Sequence, residues 1–360
     1  MYDKKDNFYE LLNSFINIIY NICKRGHIID NNFFEVLKYH RLDLLFYDIS
    51  NNYSLPYQSI LQLNNFKNKI ENTNNNYLEE MKILTKLFNK NGIKFVFLKG
   101  SSLILNSYKQ IYHRYFHDID ILISEKEISK VVGILNKLGY VYGDFENEMI
   151  YPATREEVLY QRMHTHEIYN MVRVNKNNIC LNLDVNFKFM WKGFNNENLA
   201  LEDILNYITF VEFENLKMPI LNIEYQFLHL CTHFYNEAVY FLLDNDYDEG
   251  EDAGEILLIR LFDVLLLINK DINLEQLYLS AKNNNFLVQI EFVLSLLYYI
   301  TGEKYISKFY SYFKIDINTL NYFFTRQNKK VEWPINIDER LFNIKKKEKC
   351  IKILHENKIL

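Results

Sequence analysis

A mixed α+β fold, with a small β-sheet core flanked by N-terminal and C-terminal helical units, is the class the sequence predicts. Three observations carry it. Only 4 prolines and 10 glycines occur in 360 residues, so long helices meet few breakers. Apolar residues recur at helical spacing toward both ends of the chain. Between them, short apolar runs alternate with turns, and the rhythm changes at Tyr77. A chain of 360 residues exceeds one compact core and fits two or three packed units. The expected division is a helical N-terminal unit over 1–75, a mixed core over 76–190 and a helical C-terminal unit over 191–360.

Each element has its own signal. Phe8, Leu11, Leu12, Phe15, Ile19 and Ile22 share one helical face, and a second such pattern runs from Phe33 to about Asp48. The stretches NNYSLPYQS and NKIENTNNN are expected to be turn-rich breaks. Met81, Leu84, Leu87 and Phe88 predict a helix that stops at Asn91-Gly92, where glycine accepts the left-handed position. IKFVFL (Ile93 to Leu98) predicts a strand, SSLILNSYK the start of a helix, and HDIDILI the next strand. Ser124 to Glu127 predicts a capping box, opening a helix with Ile128, Val131, Val132, Leu135 and Leu138 inward. YVYG predicts a short strand after Gly139. HEIYNMVRV and ICLNLDVNF predict a hairpin about Asn175 to Asn178. After Trp191 the pattern predicts helices to the end, over Glu224–Ala238, Glu255–Asn269, Leu274–Ala281 and Val288–Ile300.

Composition excludes several classes. Apolar residues make up 49% and aromatics 16% of the chain, enough to bury large cores. Forty-six acids against 41 bases give a net charge of −5, which argues against long nucleic acid as a partner. Four scattered cysteines without a C-x-x-C pair argue against a zinc ribbon or disulfide framework, and so for a reducing, cytoplasmic setting. The start of the chain has no signal-peptide pattern. Its most span-like run, Leu287 to Ile300, is short and carries Gln289 and Glu291, so no membrane association is expected.

The chemistry concentrates between Lys94 and Asn186. Strand alternation sets Phe116, Asp118, Asp120 and Leu122 on one face, with His117, Ile119, Ile121 and Ile123 on the other. Two carboxylates side by side repel unless a cation joins them, and Mg²⁺ takes oxygen ligands and shares them with phosphates. In ICLNLDVNF, Asp184 falls on the outward face with Cys180, Asn182 and Asn186. A neighbouring position would make a triad of Asp118, Asp120 and Asp184, able to hold metal across a phosphoryl-transfer centre. Upstream, Gly100 permits close backbone approach, and Ser101 offers a hydroxyl at a helix start, where anions are favoured. The bland alternative for each acid is a solvent-facing strand carboxylate.

The order of strand, Gly-Ser turn, helix, Asp-x-Asp strand and later strand Asp resembles the nucleotidyltransferase superfamily of the DNA polymerase β type. LKGSSLIL, RYFHDIDILI, LNLDVNF and LHLCTHFYNEA with RLFDVLLLI are similar, more narrowly, to an uncharacterised bacterial nucleotidyltransferase family over about residues 35 to 270. The resemblance implies that Gly100 and Ser101 hold the triphosphate, with Lys99 and Arg114 as further phosphate contacts. It implies that Asp118 and Asp120 bind metal, and that Asp184 binds metal or helps deprotonate the acceptor. Mg²⁺, with Mn²⁺ as substitute, would be the cofactor. The co-substrate would be an NTP, with ATP expected first, and the acceptor a protein, peptide or small molecule. The chain departs from the family pattern at Asn186 and Phe187, where His-Trp is expected.

Other features have simpler explanations. Asp244 to Glu255 mimics a calcium loop, but its sixth position is Glu249 rather than glycine, so a solvated acidic loop is expected. His164 and His166 fall on an expected hairpin strand near the active-site rim. His229 and His233 have the i, i+4 spacing of zinc ligands but lack the zincin glutamate, so they are expected to line the cleft or pack in a core. A catalytically silent nucleotide- or partner-binding protein on the same fold remains the alternative, and a metal-dependent phosphohydrolase the rival enzyme.

Overall fold

A computed structural model describes residues 4–25, 33–50, 57–189, 201–240, 256–324 and 329–343, together with 346 and 350. It bears out the mixed α+β class. The elements group into two units, one spanning Pro56–His229 and the other combining the described parts of Met1–Leu55 and Leu230–Leu360.

Helices α1 (Lys4–Arg25), α2 (Phe33–Tyr39) and α3 (Asp43–Ile49) belong to the second unit. The single helix expected from Phe33 is broken at Arg41, whose φ is +57°. Helix α4 (Tyr57–Lys90) opens the first unit. It runs straight through NKIENTNNN, so the break expected there is corrected. Asn74 Nδ2 donates to the carbonyls of Ile111 and Arg114 at 2.6 and 3.0 Å, and Asn76 Oδ1 accepts from the amides of Asn175 and Asn177. Asn76 Nδ2 also donates to the Asn72 carbonyl one turn back at 2.8 Å, so these side chains anchor α4 to distant segments without opening its backbone ladder.

Strand β1 (Phe95–Phe97), helix α5 (Lys99–Asn106), strand β2 (Ile119–Ile123) and helix α6 (Ile128–Lys137) follow as expected. The capping box at Ser124 does not form. A 3₁₀ turn over Glu125–Glu127 intervenes, and the Glu127 amide donates to the Ser124 carbonyl at 2.9 Å instead. Strands β3 (Val141–Glu146) and β4 (Met149–Pro152) make a hairpin, and helix α7 (Arg155–His164) comes next. That helix corrects the strand expected at His164. Its start is a formed capping box, Thr154 with Glu157, so the signal was present in the sequence.

Strands β5 (Met171–Val174) and β6 (Cys180–Asn186) form the expected hairpin. After α8 (Leu201–Ile204), strands β7 (Ile208–Phe213) and β8 (Leu216–Leu221) correct the all-helical expectation beyond Trp191. Glu214 and Asn215 turn between them with φ of +46° and +64°, and β8 adds to β1 in parallel. The sheet order is β4-β3-β5-β6-β2-β1-β8-β7, with β2–β6 and β1–β8 parallel and the other pairs antiparallel.

One face of this sheet carries the core. Ile119, Ile121 and Ile123 of β2, Leu181, Leu183 and Val185 of β6, and Phe95 and Phe97 of β1 pack against α4 and α6. On α4 the inward residues Tyr77, Met81, Leu84 and Phe88 recur every three or four positions, one stripe of an amphipathic helix. Beneath them lies a polar tie. Glu80, 2% exposed, accepts from Tyr140 Oη at 2.9 Å and from Arg173 through both carboxylate oxygens.

In the second unit, α9 (Ile223–Tyr235) carries the chain in from the first. Helices α10 (Leu258–Ile268), α11 (Leu274–Asn283) and α12 (Leu287–Thr301) match the helical expectations closely. A small hairpin of β9 (Tyr322–Phe324) and β10 (Lys330–Glu332) and the short α13 (Ile337–Phe342) complete it. The expected acidic loop over Asp244–Glu255 lies outside the described residues. No described helix is long and apolar enough to cross a membrane.

Candidate active site

Strand β2 lies parallel to β6 with Asp120 in direct register with Asp184. The flanking pairs Ile119–Leu183 and Ile121–Val185 turn into the core on the opposite face. Alternation therefore places both carboxylates together on the face opposite that core. Asp118 precedes the strand, where the His117 carbonyl accepts from Tyr77 Oη at 2.6 Å and from Asn182 Nδ2 at 3.0 Å. Neither of these two positioning side chains was legible as part of a site. Burial pushes the Tyr77 phenol up, so it remains a donor.

A fourth carboxylate joins them. Glu167 bridges to Asn186 across the sheet and receives Gln161 Nε2 at 3.2 Å. Burial pushes its carboxyl up to about 7, with Lys99 opposing and Asp120 and Asp118 adding to the rise. Burial likewise raises Asp120 to about 6; Lys99 and the Asn186 side chain resist, and Asp118 reinforces the rise. Asp184 is raised well above the usual carboxylate range by burial, then by Asp118, Glu167 and Asp120. Its sequence neighbours gave Glu167 no periodicity, so only the fold brings it here.

Lys99 is the central cation. Its Nζ lies 2.6 Å from Asp120 Oδ1, and its backbone φ of +45° is a conformation that non-glycine residues rarely adopt outside functional turns. Burial works against the ammonium, but Asp120, Asp118, Asp184 and Glu167 outweigh it and raise its pKa. Gly100 lies close against Phe116: a Cβ there would meet Phe116 Cβ at 3.1 Å, tighter than ordinary contact. The Ser101 hydroxyl is buried and donates to the Leu98 carbonyl at 2.6 Å, which clamps the turn. Arg114 donates from Nη1 to the Tyr115 carbonyl at 2.8 Å, within the segment leading to Asp118. Asn186, at the point of departure from the family pattern, donates to the Ile121 carbonyl at 3.2 Å and ties β6 to β2.

The histidines divide. His166 and His229 are each 6% exposed. The ring of His229 packs 5.1 Å from that of Phe189. His233 Nδ1 lies 3.3 Å from Glu237 in the second unit. His164 ends α7, exposed and stacked on Tyr160 with ring centroids 4.1 Å apart.

The donor set suits a hard divalent cation in chemistry: four carboxylates, all oxygen, against one neutralising lysine. Among the described residues, no three His, Cys, Asp or Glu side chains converge as a ready metal cage; Lys99 holds the Asp120 oxygen. The mutual repulsion has a pH signature. The folded protein keeps protons on Asp120 to about pH 6 and on Glu167 to about 7, whereas ordinary values are 3.8 and 4.5. The folded state thus binds more protons through that window, and stability falls as pH rises across it. Asp120 alone accounts for a loss on the order of 3 kcal/mol. In EDTA, the thermal midpoint should drop between about pH 4 and about pH 7, and Asp118→Asn should flatten the drop. A midpoint that rises over this range would contradict the cluster.

A family model described as uncharacterised nucleotidyltransferase matches residues 30–300. No curated protein matches the chain. With the family match extending over well more than half of its length, and over every carboxylate of the cluster, the chain belongs to the uncharacterised nucleotidyltransferases.

Proposed function

We propose that this chain is a metal-dependent nucleotidyltransferase that moves a nucleoside monophosphate from an NTP to a hydroxyl-type acceptor and releases pyrophosphate. The observation that carries this is the register of Asp120 with Asp184 on adjacent parallel strands, with Asp118 acting on both. Asp118, Asp120 and Asp184 would hold Mg²⁺, with Mn²⁺ as substitute. A cation held by these carboxylates would supply charge neutralisation at the α-phosphate.

The chain's own residues do the rest. The first turn of α5, with Gly100 and Ser101, gives the floor, and Lys99 supplies a positive charge beside the carboxylates. The acceptor oxygen forms its bond to the α-phosphorus as the bond to the β-phosphate oxygen breaks. The acceptor proton leaves to Asp184 or to water. Catalysis of this kind is mostly positioning and electrostatics. ATP is the first NTP to test, and proteins, peptides and small molecules are the acceptor classes. The net charge of −5 disfavours long nucleic acid.

One observation favours the silent-binder alternative. Lys99 already satisfies Asp120, as it would in a site that had given up its cation. Calorimetry separates the two. Titrating ATP, GTP, CTP and UTP with Mg²⁺ should reveal Mg²⁺-dependent binding of one nucleotide, and Asp118→Asn/Asp120→Asn should abolish it. Failure of folded wild type to bind any NTP or Mn²⁺ would reject the enzyme in favour of the silent binder.

A further inference from the structure

Beside the carboxylates lie nitrogen-bearing side chains from four separate segments, with Lys99 Nζ 2.6 Å from Asp120 Oδ1 and His166 Nε2 3.7 Å from Glu167 Oε2. Lys99 is the first residue of α5, His166 comes from the loop after α7, Lys188 from the segment after β6, and His229 from α9. Backbone bonds and one ring contact tie three of these segments together. The His166 carbonyl accepts from the amides of Phe187 and Lys188 at 2.9 and 3.2 Å, so the segment leaving β6 is laid against His166. Two residues on, Phe189 packs its ring on His229. Electrostatics agree with this placement: burial lowers both imidazoles, then Lys99 acts on each, and His229 and Lys188 act further on His166.

Kept neutral, each ring can donate one N–H. The donor that the family resemblance implies for the triphosphate is meanwhile committed elsewhere. The Ser101 hydroxyl is 1% exposed and turned to the Leu98 carbonyl, and Gly100 abuts Phe116. Anionic oxygens approaching the carboxylate cluster would therefore meet ammonium and imidazole donors, not the serine hydroxyl.

We propose that Lys99, His166, Lys188 and His229 form a polyphosphate subsite that holds the β- and γ-phosphates of the nucleoside triphosphate, the part that departs as pyrophosphate. The proposal rests on the nucleotidyltransferase function for the identity of its ligand. It gives Lys99 two partners: Asp120 in the free protein, and the phosphates once a cation has taken Asp120. It also makes the site select a triphosphate over the monophosphate of the same base, since the monophosphate leaves this subsite empty.

The test uses inorganic tripolyphosphate as probe, titrated by calorimetry into the full chain. Alongside it run the bound NTP, its monophosphate and, in a separate measurement, Mn²⁺ by electron paramagnetic resonance. Lys188 is exposed, so Lys188→Ala leaves the fold intact, and His229→Gln retains polarity at a buried position. Thermal midpoints identify any variant that fails to fold. Removing one phosphate-binding side chain should weaken tripolyphosphate and NTP by about tenfold, with the monophosphate unchanged. Variants that keep tripolyphosphate affinity within about twofold of wild type would overturn the subsite, as would a wild type that does not bind tripolyphosphate. Mn²⁺ binding retained in either case leaves the carboxylate function standing; its loss as well would remove both.

Discussion

Asp118→Asn/Asp120→Asn should reduce nucleotidyl transfer by about 10³-fold or more. The amides keep the shape of the carboxylates while removing both charges, so the sheet register of β2 with β6 persists. What is lost is the negative charge that a cation requires, and with it neutralisation at the α-phosphate. The two substitutions differ in their secondary effects. Asp118→Asn removes a charge that raises Asp120, Asp184 and Glu167 together, so it should stabilise the metal-free protein. Asp120→Asn strips Lys99 of its 2.6 Å partner and leaves a largely buried ammonium facing the remaining acids. The assay follows label from an α-³²P NTP into the acceptor fraction of a cell extract, with circular dichroism as the control for folding. Transfer retained within tenfold in the folded double variant would sink the assignment of these two residues.

The second large effect lies in the core. Glu80→Ala should cost about 3–5 kcal/mol, read from the urea midpoint. Glu80 is 2% exposed and is the shared acceptor of Tyr140 and Arg173. Its removal leaves a guanidinium over the Tyr140 ring, 5.2 Å from the centroid, with no carboxylate to answer it. A buried pair broken on one side loses more than the pair itself contributes, because one charge stays uncompensated. The triple change Glu80→Leu/Tyr140→Phe/Arg173→Leu should therefore restore most of the stability. A cost under about 1 kcal/mol for Glu80→Ala would show that the tie between α4 and the sheet is solvated in practice.

Much was legible in the sequence by itself. Local periodicity fixes which way a side chain faces, so Asp118 and Asp120 could be set against Ile119, Ile121 and Ile123 from spacing alone, and Asp184 against Leu183 and Val185. The Gly92 and Gly139 stops, the β5–β6 hairpin and helices α10 to α12 follow from the same short-range rules. Turn and cap chemistry was readable too, as Thr154 with Glu157 shows, although the histidines beyond it suggested a strand. What the sequence could not determine depends on partners far along the chain. The asparagines of NKIENTNNN are turn formers only while their side chains lack better partners; Ile111, Arg114, Asn175 and Asn177 supply those, and α4 continues. Strands β7 and β8 gain their meaning from β1, more than a hundred residues earlier. Glu167, Lys188, His166 and His229 have no shared spacing to betray them. Backbone bonds tie His166 to the segment that bears Lys188, and a ring contact ties Phe189 to His229; burial then shifts Glu167, His166 and His229 toward their neutral forms. Local sequence determined the strand that bears the acids; tertiary structure decided which charges surround them, because electrostatic environment depends on distance in space and not on distance along the chain.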